Sequence, residues 1–336
     1  MSVLDRLLDE NTRFAMNHRG TFNHLPMALT ALARLGASDA RLRQYFDWWE
    51  VNRALPRAGE EAAVGRGNWR DGLGRRAAFA PLADDLKRAI AAEGADAIAV
   101  EIGPAVVDAP GSLAFHAAIR LAYGLEAGHD GEIAAGLACW VAGRADLGLA
   151  ALVAARPSAA SVREGLDAIA AAVGGRPPMS GSITGAMAKV AADPAFRDAL
   201  TGAPAKGAEL LPLLERAAVR LYWQVPNFTL LHLATGAHAA RVIAERWPAL
   251  AQGVFADALW ADWCAAYATV GAPRFEDRAP DGPAAGWPQI FAAAAASDDD
   301  HVIKLTWTCF DETRRRGGDE WRIVATRLTL PPYEAP

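Results

Sequence analysis

Lysine is nearly missing from this chain of 336 residues: Lys87, Lys189, Lys206 and Lys304 are the only four, so 30 of the 34 basic residues are arginine. Cysteine is almost as scarce. Cys139, Cys264 and Cys309 lie far apart in apolar text, which excludes a disulfide framework and a CxxC metal motif and predicts reduced, packed thiols. Positive charge is not in excess either: 34 basic against 39 acidic residues give a net charge of −5. The broad cationic surface that nucleic acid or anionic lipid requires is therefore not expected. The longest apolar stretches, Ile133–Ala142 and Leu147–Ala155, are cut well short of the roughly 20 residues of a spanning helix, so no membrane partner is expected. The acidic, amphipathic opening MSVLDRLLDENTR does not read as a signal peptide, and a cytoplasmic location follows as an expectation.

Several motifs are missing as well. Gly65, Gly67, Gly72 and Gly74 do not keep the GxGxxG spacing and no strand precedes them, so a dinucleotide fold has no support. Walker A, GxSxG and HExxH sequences are absent, and Ser182 in the Gly/Pro-rich SGSIT reads as turn chemistry.

What is present is helical periodicity. Apolar residues recur at three- and four-residue spacing through most segments, which predicts an all-α fold of a dozen or more helices in a single domain spanning 1–336. Breakers cluster at 55–76, 174–185 and 271–288, read as loops or lids. The β-rich composition of Trp321–Leu330 predicts a short extended segment.

The chemistry-bearing candidates are histidines within apolar helical text: His24, His116, His232 and His238. Any one alone reads as a hydrogen-bonded core histidine, but burying four imidazoles with no shared task multiplies the cost of satisfying their ring nitrogens. His24 follows a capping Asn23 at a helix start, where the neutral ring a metal requires is favoured. His116 falls about one turn inside a helix capped by Ser112. His232 and His238 share a helix opened by Asn227, yet six residues separate their rings by about 120° and roughly 9 Å, so a straight helix does not chelate with both. Three readings stand: Gly236 distorts the helix between them, a metal lies against the helix side with one ring reaching round, or one of the pair is structural.

Lys304 sits between Ile303 and Leu305 on a helix with Ser297 as its cap, sharing a face with His301 and Thr308. It reads two ways: snorkelling to the surface, or buried as a neutral amine that adds carbon dioxide to become an anionic carbamate ligand. Glu126 and His129 form a lone ExxH without the second copy a di-iron bundle needs, and His129–Asp130 between glycines reads as a turn.

NHLPMALTALARLGAS around His24, the Trp69/Gly72/Leu73/Gly74 segment, AFHAAIRLAYGLEAG around His116, NFTLLHLATGAHAARVI and HVIKLTWTC together resemble the questin oxidase-like family over nearly the whole chain. Members act in fungal polyketide pathways, where they oxidatively open anthraquinone-type rings, and occur in many bacteria. The resemblance implies a mostly helical fold and a mononuclear non-haem Fe(II) held by His24, His116, His232, His238 and a carboxylated Lys304. It further implies an O2-dependent oxygenase acting on a small aromatic phenol, hydroquinone or quinone by oxygen insertion or ring cleavage. NADPH would serve as an external reductant, since no nucleotide motif is present here. Trp69, Tyr123, Trp223 and Trp307 are candidate substrate-wall residues by composition only, with core packing the favoured reading of each. Two other readings stand beside the oxygenase: a non-catalytic helical ligand-binding protein with packed histidines, and a zinc hydrolase in the same site.

Overall fold

Short polar side chains set the helix starts by accepting from first-turn N–H groups that lack an intrahelical partner. Ser38 accepts from the Arg41 N–H at 3.3 Å, Ser161 from Glu164 at 3.1 Å, Ser182 from Gly185 at 3.1 Å and Asn227 from Thr229 at 2.8 Å. In the computed structural model, which describes residues 1–18, 22–57 and 64–330, such helices make up an all-α architecture. The described residues contain isolated β-bridges but no strand. None of their helices is long and apolar enough to cross a membrane. All three cysteines are free and buried.

The chain divides into two compact units, Gly59–Asp277 and a smaller one built from Met1–Ala58 with Arg278–Pro336. At the centre of the larger unit lies the helix Asp130–Gly143, in which every residue from Gly131 to Gly143 is buried. A helix apolar on all sides has to be enclosed by others. Here Phe79–Glu93 and His116–Ala127 cover it, Phe228–Arg246 packs on His116–Ala127, and Leu210–Gln224 packs on Phe228–Arg246. In the smaller unit, Asp300–Arg316 packs against Leu25–Arg34 and Glu320–Thr329, while Val3–Glu10 and Asp39–Asn52 pack against each other and against Leu25–Arg34.

Three local expectations are corrected. Glu320–Thr329 is an α-helix, not an extended segment: Trp321, Ile323, Val324 and Ala325 are buried, so tertiary burial overrides the β-branched composition. The helix carrying His116 begins at His116, and Ser112 is not its cap; the Ser112 hydroxyl donates to the Ala109 carbonyl and accepts from the Ala145 N–H. Asp299, not Ser297, caps the Lys304 helix by accepting from the His301 N–H at 2.8 Å. Of the breaker-rich segment 55–76, residues 58–63 lie outside the described residues; the remainder includes the 3-10 helix Arg66–Gly72.

Glycine makes the central helix pair possible. A Cβ on Gly136 would stand 2.5 Å from the Leu121 Cα, a backbone atom of the neighbouring helix that cannot yield locally. Gly136→Ala is expected to lower stability by about 1–3 kcal/mol or more, read as a drop in thermal melting temperature with the far-ultraviolet helix signal retained below the transition.

Candidate metal centre

In the larger unit, His116 and His232 meet ring to ring, with centroids 4.7 Å apart and Nε2 atoms 3.1 Å apart. The Nδ1 of His116 lies 2.5 Å from the Leu113 carbonyl oxygen and that of His232 2.7 Å from the Phe228 carbonyl oxygen. A carbonyl only accepts, so each Nδ1 carries the proton and each neutral ring turns the lone pair of its Nε2 toward the other ring. Two facing lone pairs repel unless a cation joins them. A proton would create an imidazolium where the residues are only 5% and 1% exposed, which is costly. A divalent metal ion about 2.1 Å from each of two cis nitrogens holds them about 3.0 Å apart, close to the spacing found.

The approach to His116 is strained. Leu113, Ala114 and Phe115 have φ of 55°, 56° and 68°, a left-handed turn that costs non-glycine residues roughly 1–2 kcal/mol each. This turn brings the Leu113 carbonyl back onto the His116 ring. Gly236 accommodates it: a Cβ there would stand 2.9 Å from the Phe115 ring. The helix Phe228–Arg246 runs through Gly236 without interruption, so this glycine admits a neighbour rather than bending the helix.

His238, six residues after His232, has different surroundings. Its Nδ1 is 3.0 Å from Arg241 Nη2 and its Nε2 is 3.3 Å from Glu126 Oε1. The guanidinium only donates, so Nδ1 accepts and Nε2 carries the proton toward the carboxylate. Arg241 is itself held by Glu215 at 3.1 Å and Glu245 at 3.0 Å. His129 caps the helix Asp130–Gly143 by accepting from the Glu132 N–H at 3.1 Å, in line with its reading as a turn residue.

In the smaller unit, His24 and Lys304 meet at Asp300. His24 Nδ1 donates to Asp300 Oδ2, and Lys304 Nζ lies 3.2 Å from the same oxygen. Burial lowers the His24 pKa to about 3, against the opposing pull of Asp300, so the ring is neutral. Lys304 is 2% exposed, which removes the snorkelling reading. Burial lowers the pKa of its amine, with Asp300 working the other way. Burial would raise the Asp300 pKa, but His24 and Lys304 hold it well below the usual carboxylate range. The His301 ring centroid is 4.9 Å from that of His24, and Asp299, Asp300 and His301 offer ligand atoms within 4.8 Å of one another. Close by, the Trp49 indole N–H and the Tyr45 hydroxyl are buried with no acceptor among the described residues.

The family model described as Questin oxidase-like matches residues 21–224 and 222–309. The chain belongs to the questin oxidase-like family. Membership makes it an oxidoreductase of the oxygenase kind. No curated protein matches the chain.

Of the candidate wall residues in this questin oxidase-like chain, Trp69 and Tyr123 are each 2% exposed and Trp307 5%, while Trp223 is half-buried. The sequence reading passed over Asp300 and Asp262. Asp262 Oδ2 accepts from the Gly111 N–H at 2.7 Å and so anchors the loop leading to the strained turn before His116. No sequence signal marks it beyond an acid inside the apolar text of LWADWCAAYA.

Burial raises the Asp262 pKa to about 8, partly offset by the Gly111 N–H. Between about pH 4 and pH 8 the folded chain keeps a proton that the unfolded chain releases, so this group's contribution to stability declines as pH rises through that window. Asp262→Asn keeps an accepting oxygen and cannot ionise. Melting curves from pH 5 to pH 8 should show the variant less sensitive to rising pH than the parent, with its relative stability greatest at pH 8. A difference between the two that does not change with pH would refute the assignment.

Proposed function

We propose that this protein is an Fe(II)- and O2-dependent oxygenase acting on a planar aromatic phenol, hydroquinone or quinone, with oxygen insertion or oxidative ring cleavage as the outcome. One observation carries the reading: His116 and His232 aim lone pairs at a common point from Nε2 atoms 3.1 Å apart, each ring fixed by a backbone carbonyl at Nδ1. Outer partners of this kind orient metal-bound imidazoles and set their tautomer. A packed pair of structural histidines, the reading of a non-catalytic binding protein, has no reason to set lone pair against lone pair in a buried place.

The ligands proposed from the resemblance are His24, His116, His232, His238 and Lys304, and within the larger unit the surroundings of His116 and His232 support the proposal. His24 follows the same rule, its Nδ1 held by Asp300 and its ring neutral. Lys304 donates only after losing its proton; its burial favours the neutral amine, which adds carbon dioxide and releases a proton to give an anionic oxygen ligand. Neutral imidazoles with one carbamate leave a divalent ion a single positive charge, and their borderline character suits iron. Iron, when bound, supplies the one-electron steps that let dioxygen react with a closed-shell organic molecule. NADPH is assigned to an external reductase, because the sequence carries no nucleotide motif.

Phe228 supports the aromatic substrate class. Its ring centroid is 4.5 Å from that of His232, yet the residue is 47% exposed, which leaves an aromatic surface beside a buried ligand. Stacking against such a ring contributes about 0.5–1.5 kcal/mol to binding. Trp69, Tyr123, Trp223 and Trp307 remain proposed wall residues.

Purified protein loaded anaerobically with Fe(II) and desalted is expected to retain close to one iron per chain and to consume O2 when offered a hydroquinone panel. His116→Ala and His232→Ala should each retain about tenfold less iron while keeping their helical circular dichroism. Full iron retention in either variant, or a wild-type chain that takes up none, refutes the reading.

A further inference from the structure

A cavity of about 460 Å³ lies wholly within the larger unit, where the breaker-rich segment 174–185 meets the helices Ile183–Ala192, Pro194–Ala199 and Val254–Thr269. The segment is fastened on two sides. The Met179 N–H donates to the Thr269 carbonyl at 2.8 Å. At Gly271, where φ is 86°, a Cβ would run into the Arg176 carbonyl, so the chain after Thr269 admits the loop only because that position is glycine. On the other side the Arg176 guanidinium pairs with Asp193, which caps Pro194–Ala199 by accepting from the Ala195 N–H at 2.9 Å. Between these fixings Pro177 and Pro178 have a fixed φ and no N–H to donate, so the stretch stays extended instead of closing as a helical turn. The cavity is therefore preformed, and its volume is that of a site for a small organic molecule.

Its lining combines apolar surface with a small set of charges. Val173, Pro177, Met179, Val190 and Phe196 supply the apolar part, and the charges are Arg176, Asp193 and Lys189. Arg176 and Asp193 neutralise each other. Lys189 has no hydrogen-bond or ion-pair partner among the described residues, whereas Lys206 pairs with Asp257 and Lys304 with Asp300. One uncompensated positive charge thus stands at the edge of an apolar hollow. A monoanion neutralises it, while a dianionic phosphate would leave the place with a surplus negative charge. The three donors of the ammonium suit the oxygens of a carboxylate, and the apolar walls suit a hydrocarbon body.

We propose that this cavity binds a small organic monocarboxylate, its hydrocarbon body against Val173, Met179 and Val190 and its carboxylate against the Lys189 amine. None of the lining residues is a candidate metal ligand, so the site stands or falls apart from the iron reading.

Octanoate and octan-1-ol serve as probes, titrated calorimetrically into the full-length protein and into its Lys189→Met and Met179→Asp variants, with thermal melts reporting folding. Both substituted side chains are exposed, so both variants are expected to fold. The parent is expected to take up octanoate at a single saturable site and to hold it about fivefold more tightly than octan-1-ol, the effect of one solvent-accessible ion pair. Lys189→Met should remove that preference and leave octan-1-ol binding unchanged. Met179→Asp, which sets a second anion on the apolar wall, should weaken octanoate by at least as much. Octanoate held as tightly by either variant as by the parent, the outcome for a carboxylate captured at a metal or elsewhere, overturns the proposal, as does a parent that shows no saturable binding.

Discussion

A neutral imidazole offers a lone pair only at the nitrogen that does not carry its proton, and that rule decides what each histidine of this protein presents to its neighbours. The protein decides the matter by what it places at the other nitrogen. For His116 and His232 it places main-chain carbonyls, and for His24 a carboxylate. The Leu113 carbonyl reaches its position through three consecutive left-handed residues, which only over-determined surroundings can hold. Those surroundings are on both sides. Leu113 packs where a Cβ on Gly143 would fall and Phe115 packs where one on Gly236 would fall, while Asp262 and Trp140 fasten the preceding loop at Gly111 and Ala109. Helix packing, backbone strain and histidine orientation are therefore one connected device within the larger unit.

Much of the fold is legible in the residues because amphipathic period and capping chemistry agree. The three- and four-residue apolar period yields an all-α chain as read, and Asn227 opens its helix as its position suggests, while Ser182, read as turn chemistry, caps the helix Ile183–Ala192. The failures have definite causes. Trp321–Leu330 is rich in β-branched and aromatic residues, and its helical form depends on neighbours that a local window does not contain. Ser112 looks like a cap because it precedes an apolar helical run, but non-glycine residues in left-handed geometry carry no compositional flag, and they delay the helix until His116. The helix Ala95–Ile102 lies between breakers and passed without notice.

The candidate centre was legible as residue types and not as arrangement. Histidines in apolar text and a lone buried-looking lysine were visible; their protonated nitrogens were not, because these depend on carbonyls and carboxylates brought in by the fold. The six-residue spacing of His232 and His238 illustrates the difference. Helical geometry already separated the two rings, and their surroundings differ: His232 faces His116, and His238 lies between Arg241 and Glu126. Gly236, read as a point of distortion, instead makes room for Phe115. Asp300 is one of three consecutive acids at the helix start, and nothing local distinguishes it from Asp298 or Asp299.

The smaller unit is assembled from two segments that flank the larger one in sequence. On a ribosome the first segment emerges early and then waits while roughly 220 further residues are made, on the order of 10–40 s at typical elongation rates. During that interval the helix Leu25–Arg34, with Leu29 and Leu32 buried in the finished fold, has no Asp300–Arg316 helix to pack against. The larger unit meets no such delay and can close as it is synthesised. Nascent-chain protection of residues 1–58 thus becomes a requirement of the topology, and a ribosome that stalls before residue 300 leaves apolar helices open to chaperones or to one another.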